Sequence, residues 1–386
     1  MSMFQRTDHS FLGRWWWTVD RRMLAVLLVI IVFGMALVAT ASPPVALRIG
    51  APQYHFVFRH FVLLVPSLAV LFLFSMMNLR LLRRSAFLVL GGGMIAMVLV
   101  LIFGEEVKGA QRWLPLFGFS LQPSEFVKPA FILVAAWFMS SGREESGFSG
   151  MKVACGLYAA VLGLLLMQPD MGMSFVVTAC FLGLIFFAGI PLRWIVLLCG
   201  ALVAASVFAY FSFSHVHSRV DRFLHPEGSD TYQVDRSLEA FQSGGFFGTG
   251  PGQGSVKLSL PDAHADFIFS VAGEELGLFF VVILIALYAY VLIRGFNRIM
   301  DSDDLFVVLA TGGLLCMFGL QALIHMGSAL HLLPAKGMTL PFVSYGGSSL
   351  LSMSMAMGMV LALTRRQAKS GIARGGLSLR GIGGKE

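Results

Sequence analysis

Pro261–Ile293 reads PDAHADFIFSVAGEELGLFFVVILIALYAYVLI. It opens on polar residues that end with Asp266, and then runs apolar to Ile293, with Glu274 and Glu275 as its only later charges. A helix needs about 20 mostly apolar residues to cross a bilayer. This run is long enough, and it is continuously apolar rather than alternating, which excludes the strand of a membrane barrel. Three carboxylates lie near one end of the span. Ionisable groups at membrane depth are costly and mark working sites.

The same reading extends over the chain. Of its 386 residues, 57% are hydrophobic and 13% charged, against about 25% charged in a soluble domain. Ten apolar runs predict an all-α polytopic membrane protein, with spans near 23–42, 57–77, 84–104, 123–141, 151–168, 171–190, 192–213, 266–293, 304–330 and 345–364. With the N-terminus inside, 18 Lys and Arg fall in cytoplasmic segments and 9 outside, with Lys128 within a span. That bias predicts that both termini are cytoplasmic. The net charge of +7 is thereby a topology signal, and nucleic acid is not an expected partner. Residues 1–22 read as a cytoplasmic interfacial segment, with Trp15-Trp16-Trp17 beside Arg14, Arg21 and Arg22. Residues 23–364 form the transmembrane domain, and 365–386 a disordered Gly- and Arg-rich tail. Cys155, Cys180, Cys199 and Cys316 all fall in spans and read as buried apolar side chains.

Four polar segments interrupt the apolar runs, all on the outer side of this topology. The first carries Arg112 and Trp113, then Gln122-Pro123-Ser124-Glu125-Phe126-Val127-Lys128. Pro123 suits a first helical turn, and Glu125 and Lys128 then share one helix face. They read as a structural ion pair or as paired charges lining a cavity. Arg112 reads as an interfacial anchor or a phosphate ligand. The second segment is the turn Gln168-Pro169-Asp170, in which Asp170 is placed to cap the next helix. The third is the loop 214–265 between spans seven and eight, expected to lack regular structure and to be functional at that length. It holds Arg219, Arg222 and a glycine run over 244–254 whose spacing misses the dinucleotide fingerprint. His215 and His217 lack a third ligand at metal spacing, so no protein metal site is expected. The fourth, 333–349, carries Lys336 and Ser344 and reads as a re-entrant segment lining a cavity. Cations beside a lipid-facing cavity, with a carboxylate at its mouth, suit an anionic lipid-linked substrate and proton abstraction.

Along nearly its whole length the chain resembles the SEDS family of bacterial cell-wall proteins. The matching runs are GAQRWLPLFGFSLQPSEFVK, LLMQPDMG, PDAHADFIFSVAGEELG and LLPAKGMTLPFVSYGGSS. Ala335-Lys336-Gly337 followed by Leu340-Pro341-Phe342 is more similar to the division branch than to the elongation branch. Three local departures touch hydrogen bonding: Ala265 replaces the usual Thr, His325 and His331 stand for Asn and Gly, and Arg236 stands for a frequent Gln.

The resemblance implies a peptidoglycan glycosyltransferase that polymerises lipid II into β-1,4 glycan strands at the outer face of the plasma membrane, at the septum. It makes Asp266 the general base of an inverting transfer. Substrate contacts are implied at Arg112, Trp113, Lys336, Arg219, Arg222, His264 and Ser344. Glu125, Lys128, Gln168, Asp170, Glu274 and Glu275 are structural or cavity residues. A divalent cation, Mg or Mn, carried by the substrate pyrophosphate is compatible with this set and would leave no cage in the sequence. The implied partners are a class B penicillin-binding protein and other divisome membrane proteins. A lipid II flippase and a non-catalytic scaffold are the alternatives.

Overall fold

The computed structural model describes residues 10–107, 110–116, 119–144, 149–191, 232–300, 302–333 and 337–365, with isolated positions between 193 and 221. A short helix, α1 (Phe11–Thr18), leads into α2 (Arg21–Arg48), α3 (His55–Met76) and α4 (Leu79–Phe103). Three short strands follow: β1 (Glu105–Val107), β2 (Ala110–Leu116) and β3 (Phe119–Leu121). Then come α5 (Pro123–Glu144), α6 (Gly150–Met167) and α7 (Met171–Phe187). The C-terminal half contains α8 (Tyr232–Gly244), α9 (Ile268–Ile299), α10 (Leu305–Ala329) and α11 (Gly347–Leu363).

Nine of the ten expected spans coincide with helices, and the other, 192–213, lies mostly outside the described residues. Among the described residues six helices (α2, α3, α4, α6, α9 and α10) are long and apolar enough to cross a membrane, and α7 and α11 are shorter apolar helices. Capping sets several starts. Asp20, Asn78, Asp170 and Asp304 each accept a backbone N–H from the first turn of α2, α4, α7 and α10, respectively. Each such cap is worth about 1 kcal/mol.

α10 is the axis of the bundle: 78% of its apolar window is buried, against 17% for α3 and 22% for α4, which face outward. It packs on α5, α7, α9 and α11, and α11 lies against α3. Lipid is as apolar as these side chains, so close packing rather than water exclusion holds the helices together, and small residues let backbones approach. A Cβ on Gly358 would lie 2.6 Å from the Leu71 carbonyl oxygen, and one on Gly34 would lie 2.2 Å from that of Phe342.

Three expectations need correction. The segment after α4 is an antiparallel sheet in the order β1-β2-β3, closed by pairs such as Glu105 with Trp113 and Leu114 with Leu121. The outer loop is not structureless in its described part. Tyr232–Gly244 is a helix packed on α9, and Val256–Leu258 is a 3-10 turn. The tryptophan triplet is not a uniform anchor. Trp15 is buried and donates its indole N–H to Ser75 Oγ at 3.1 Å, while Arg21 lies over Trp16 and Trp17.

Candidate active site

α9 is continuous only in outline. Gly277 inside it has φ 77° and ψ 177°, so 268–276 and 278–299 are two helical pieces. Such a break leaves carbonyls and amides without helical partners, and at membrane depth they must be satisfied within the protein. The glycine run supplies those partners. The amides of Thr249 and Gly250 donate to Glu274 O and Glu275 O at 2.9 and 3.0 Å, while those of Leu278 and Phe279 donate to Gly245 O and Phe246 O at 3.0 and 3.1 Å. Gly248, at φ 82°, fits because a Cβ there would meet Glu275 O at 2.2 Å. The glycines that do not form a nucleotide site are thus a backbone splice for a broken helix.

The two glutamates belong to this splice and do not join Asp266. Glu274, fully buried, accepts the amides of Val256 and Lys257 at 2.7 and 3.0 Å and so caps the 3-10 turn. Glu275 pairs with the buried Lys257, whose ammonium also donates to Thr40 O at 3.0 Å. Both carboxylates are engaged by the loop before α9, and the signal missed in the sequence was Lys257.

Asp266 sits two residues ahead of α9, on a turn whose backbone closes with Asp266 N–H to Asp262 O at 3.0 Å. It is partly exposed. This turn is stitched to the segment before α11. Ser344 Oγ donates to Ala265 O at 2.7 Å and accepts from Leu340 N, and Tyr345 N donates to His264 O at 2.9 Å. The buried His264 ring clusters with Phe56 and Tyr345, with centroids 4.4 and 5.0 Å away. Burial lowers its pKa to about 4, against a small opposing pull from Asp262, so it is neutral near pH 7. Gly337 faces the catalytic candidate: a Cβ there would stand 3.4 Å from Asp266 Oδ2, and φ is +62°. The absence of a side chain at Gly337 leaves room beside the carboxylate.

Below this lies a buried polar chain. Lys128 and Glu125 form the expected ion pair at 2.9 Å. Lys128 also donates to Gln321 Oε1 at 3.1 Å, and Gln321 Nε2 reaches Thr339 O, Thr339 Oγ1 and Ser349 Oγ at 3.2, 3.2 and 3.4 Å. Three serines at the start of α11 each hold a different element. Ser348 accepts from Gln122 N, Ser349 shares a 2.6 Å bond with Thr339, and Ser352 donates to Glu125 O. Gln321, a lone amide in an apolar helix, was the legible signal that sequence reasoning passed over.

Arg112 is fastened to the α6–α7 turn. Its guanidinium donates to Gln168 O and Pro169 O and lies 3.7 Å from Asp170 Oδ2, with about a quarter of the side chain exposed. Asp170 both caps α7 and meets Gln122, while Gln168 donates to Met97 O at 3.0 Å. Trp113 is partly buried on β2. Through Ser348 and the Gln122 junction, this corner sits at the same end of the bundle as the Asp266 turn. Lys336, Arg219 and Arg222 lie outside the described residues, as does Cys199. Among the described residues no three His, Cys, Asp or Glu gather as a metal site.

The fold and site together define a polytopic helical membrane protein with a partly exposed carboxylate held at one end of a polar, hydrogen-bonded bundle. The cell cycle protein family of FtsW, RodA and SpoVE matches residues 20–369, and the chain belongs to it. It is 44% identical over 365 residues to the probable peptidoglycan glycosyltransferase FtsW of Caulobacter vibrioides, covering 94% of each chain. To the protein of the same name from Coxiella burnetii it is 34% identical, over 90% of this chain and 96% of that one. Among solved structures, one described as "Structural coordination of polymerization and crosslinking by a peptidoglycan synthase complex" aligns with TM-score 0.74 and 28% identity, over 90% of this chain and 97% of that one. The rod shape determining protein RodA of Thermus thermophilus aligns with TM-score 0.67, at the same identity and coverage.

Proposed function

We propose that the chain is a peptidoglycan glycosyltransferase of the division branch, with Asp266 as its general base. The relatives that share more than 90% of its length carry that activity in their names. The observation that carries the residue assignment is the Asp266 turn. A partly exposed carboxylate, with Gly337 facing it, stands on a turn tied to the segment before α11 through Ser344 and Tyr345. Its position just ahead of a helix N-terminus favours the ionised form.

In this reading the acceptor 4-hydroxyl of lipid II attacks the anomeric carbon of the donor. The C–O bond to undecaprenyl pyrophosphate breaks, the leaving group takes the bonding pair, and the hydroxyl proton passes to Asp266. Charge grows on the pyrophosphate, which Arg112 and Lys336 would stabilise, with Arg219, Arg222 and Trp113 as further substrate contacts. His264 and Ser344 act on the geometry of the Asp266 turn. A divalent cation would arrive with the pyrophosphate and is treated as part of the substrate. The topology that serves this chemistry has ten spans, both termini in the cytoplasm and the 214–265 loop outside, in the plasma membrane at the septum. A class B penicillin-binding protein would use the strands, among other divisome proteins.

The test is polymerisation of labelled lipid II in detergent by purified protein with its transpeptidase partner. Asp266→Asn is expected to fold and bind lipid II, and to lose at least the ~100-fold typical of a missing general base. Wild-type turnover in Asp266→Asn would overturn the base assignment. No glycan from the wild-type complex would overturn the enzyme reading in favour of a flippase.

A further inference from the structure

The tip of the glycine run carries Phe246 and Phe247, 56% and 78% exposed, between Gly245 at φ +56° and Gly248 at φ +82°. Two bulky aromatic side chains at the turn of a polar outer loop are not used by the splice, which employs only their backbone. Their surroundings show what covers them. Phe246 lies 6.3 Å, centroid to centroid, from Phe279, and Leu278, Phe279 and Phe280 are themselves exposed on α9. Phe280 in turn meets Phe33 of α2 at 6.4 Å. The exposed apolar surface therefore runs unbroken from the loop tip onto the spans.

The depth of this surface follows from length. Leu278–Ile293, the apolar run between the break and Arg294, is about 24 Å long at ~1.5 Å per residue, shorter than the ~30 Å hydrocarbon core. Residues 268–275 are all buried within the protein, whereas exposure to the outside begins at Leu278. The hydrocarbon core thus reaches at least to the break, level with the Phe246–Phe247 tip. Arg48, exposed at the outer end of α2, donates to Leu258 O at 2.6 Å and places a cation on the same loop, as headgroup contact requires.

We infer that Phe246 and Phe247 insert among the outer-leaflet acyl chains and act as a second, monotopic membrane anchor for the outer loop. Their occupant is lipid: the patch continues a lipid-facing surface and lies at its upper edge. The anchor would fix the height of the splice, and with it the Asp266 turn that begins α9, at headgroup level. This inference is independent of the reaction assigned above.

The test uses the full chain in lipid nanodiscs, with Phe247→Trp and the exposed polar Gln242→Trp compared after subtracting wild-type fluorescence. Lipids brominated near the top of the acyl chain are expected to quench Phe247→Trp at least about twofold more steeply than Gln242→Trp, as shallow insertion of ~5–10 Å requires. Aqueous acrylamide should show the reverse order. Hydrogen exchange gives a second reading: Phe246→Ser with Phe247→Ser should speed exchange at Thr249 and Gly250 in nanodiscs but not in detergent. Equal bromolipid quenching at both positions overturns the inference. So does protection of Phe247→Trp that arises only when a partner protein is bound, which would assign the pair to a protein contact.

Discussion

Lys128 is almost fully buried and shares its charge between Glu125 and Gln321. Removing one partner of a buried pair costs about 3–5 kcal/mol, because the other charge is left uncompensated. Glu125→Ala and Lys128→Ala are each expected to lower the melting temperature and turnover strongly, with the double variant less than additive. Gln321→Leu should join this non-additive set, because the amide passes the position of Lys128 to Thr339, two residues from Gly337. Strict additivity with Lys128→Ala in melting temperature and turnover would show that Gln321 is not part of the chain. His264 supplies a pH signature. Its folded pKa of about 4 lies below the ordinary 6.5 because burial opposes the charge. Between those values the unfolded chain binds more protons, so stability is complete above about pH 6.5 and falls as pH drops toward 4, by at most about 1.4 kcal/mol per unit. His264→Phe should lessen the slope of melting temperature over that window, and an unchanged slope would remove His264 as a contributor. At this scale the sequence was legible where the partners are close along the chain. Glu125 with Lys128 and Asp170 with its own helix start follow from spacing. Gln321 with Lys128, 193 positions apart, does not.

Among the elements, the break at Gly277 is the least expected feature. Within an apolar run a single glycine reads as tolerated packing, and the glycine run that would reveal its purpose lies some thirty residues upstream. The splice explains three sequence facts together: the glycine run, the paired glutamates and the lone Lys257. Gly277→Ala would force a Cβ to 2.3 Å from Gly248 N, at a φ that L-residues avoid. The strain alone is about 1–3 kcal/mol. The variant is expected to melt earlier and to lose slow hydrogen exchange at Thr249, Gly250, Leu278 and Phe279 together, since these four amides close one structure. Wild-type exchange at all four would mean that the break does not depend on glycine. The sheet β1–β3 escaped sequence reasoning for a different reason. Its strands are three to seven residues long, carry no clean alternation, and pair through turns whose hydrogen bonds no periodicity announces.

For the whole molecule, hydrophobic run length located the spans because lipid demands continuous apolar helices, and nine of the expected runs are helices. Run length says nothing about which helix is central, which is decided by small residues and polar hubs such as the α11 serines. The two ends of α9 carry opposite kinds of chemistry. Asp266 stands ahead of its start, and at its far end Arg294 and Arg298 both bond Asp20 at 2.9 Å, where α2 begins. Burial raises the Asp20 carboxyl, but the two guanidinium bonds and the Met23 amide outweigh it and hold the pKa below its ordinary value. By the rule that basic residues stay cytoplasmic, two arginines clamped at one end and a carboxylate turn at the other predict a bundle with the clamp inside. In a background without Cys155, Cys180, Cys199 and Cys316, Gln242→Cys is expected to react with an impermeant maleimide on intact spheroplasts. Asp303→Cys, exposed just beyond the clamp, should react only after the membrane is opened. Labelling of Asp303→Cys from outside, with Gln242→Cys protected, would invert the molecule and place the Asp266 turn on the cytoplasmic face, where it could not act on strands assembled outside.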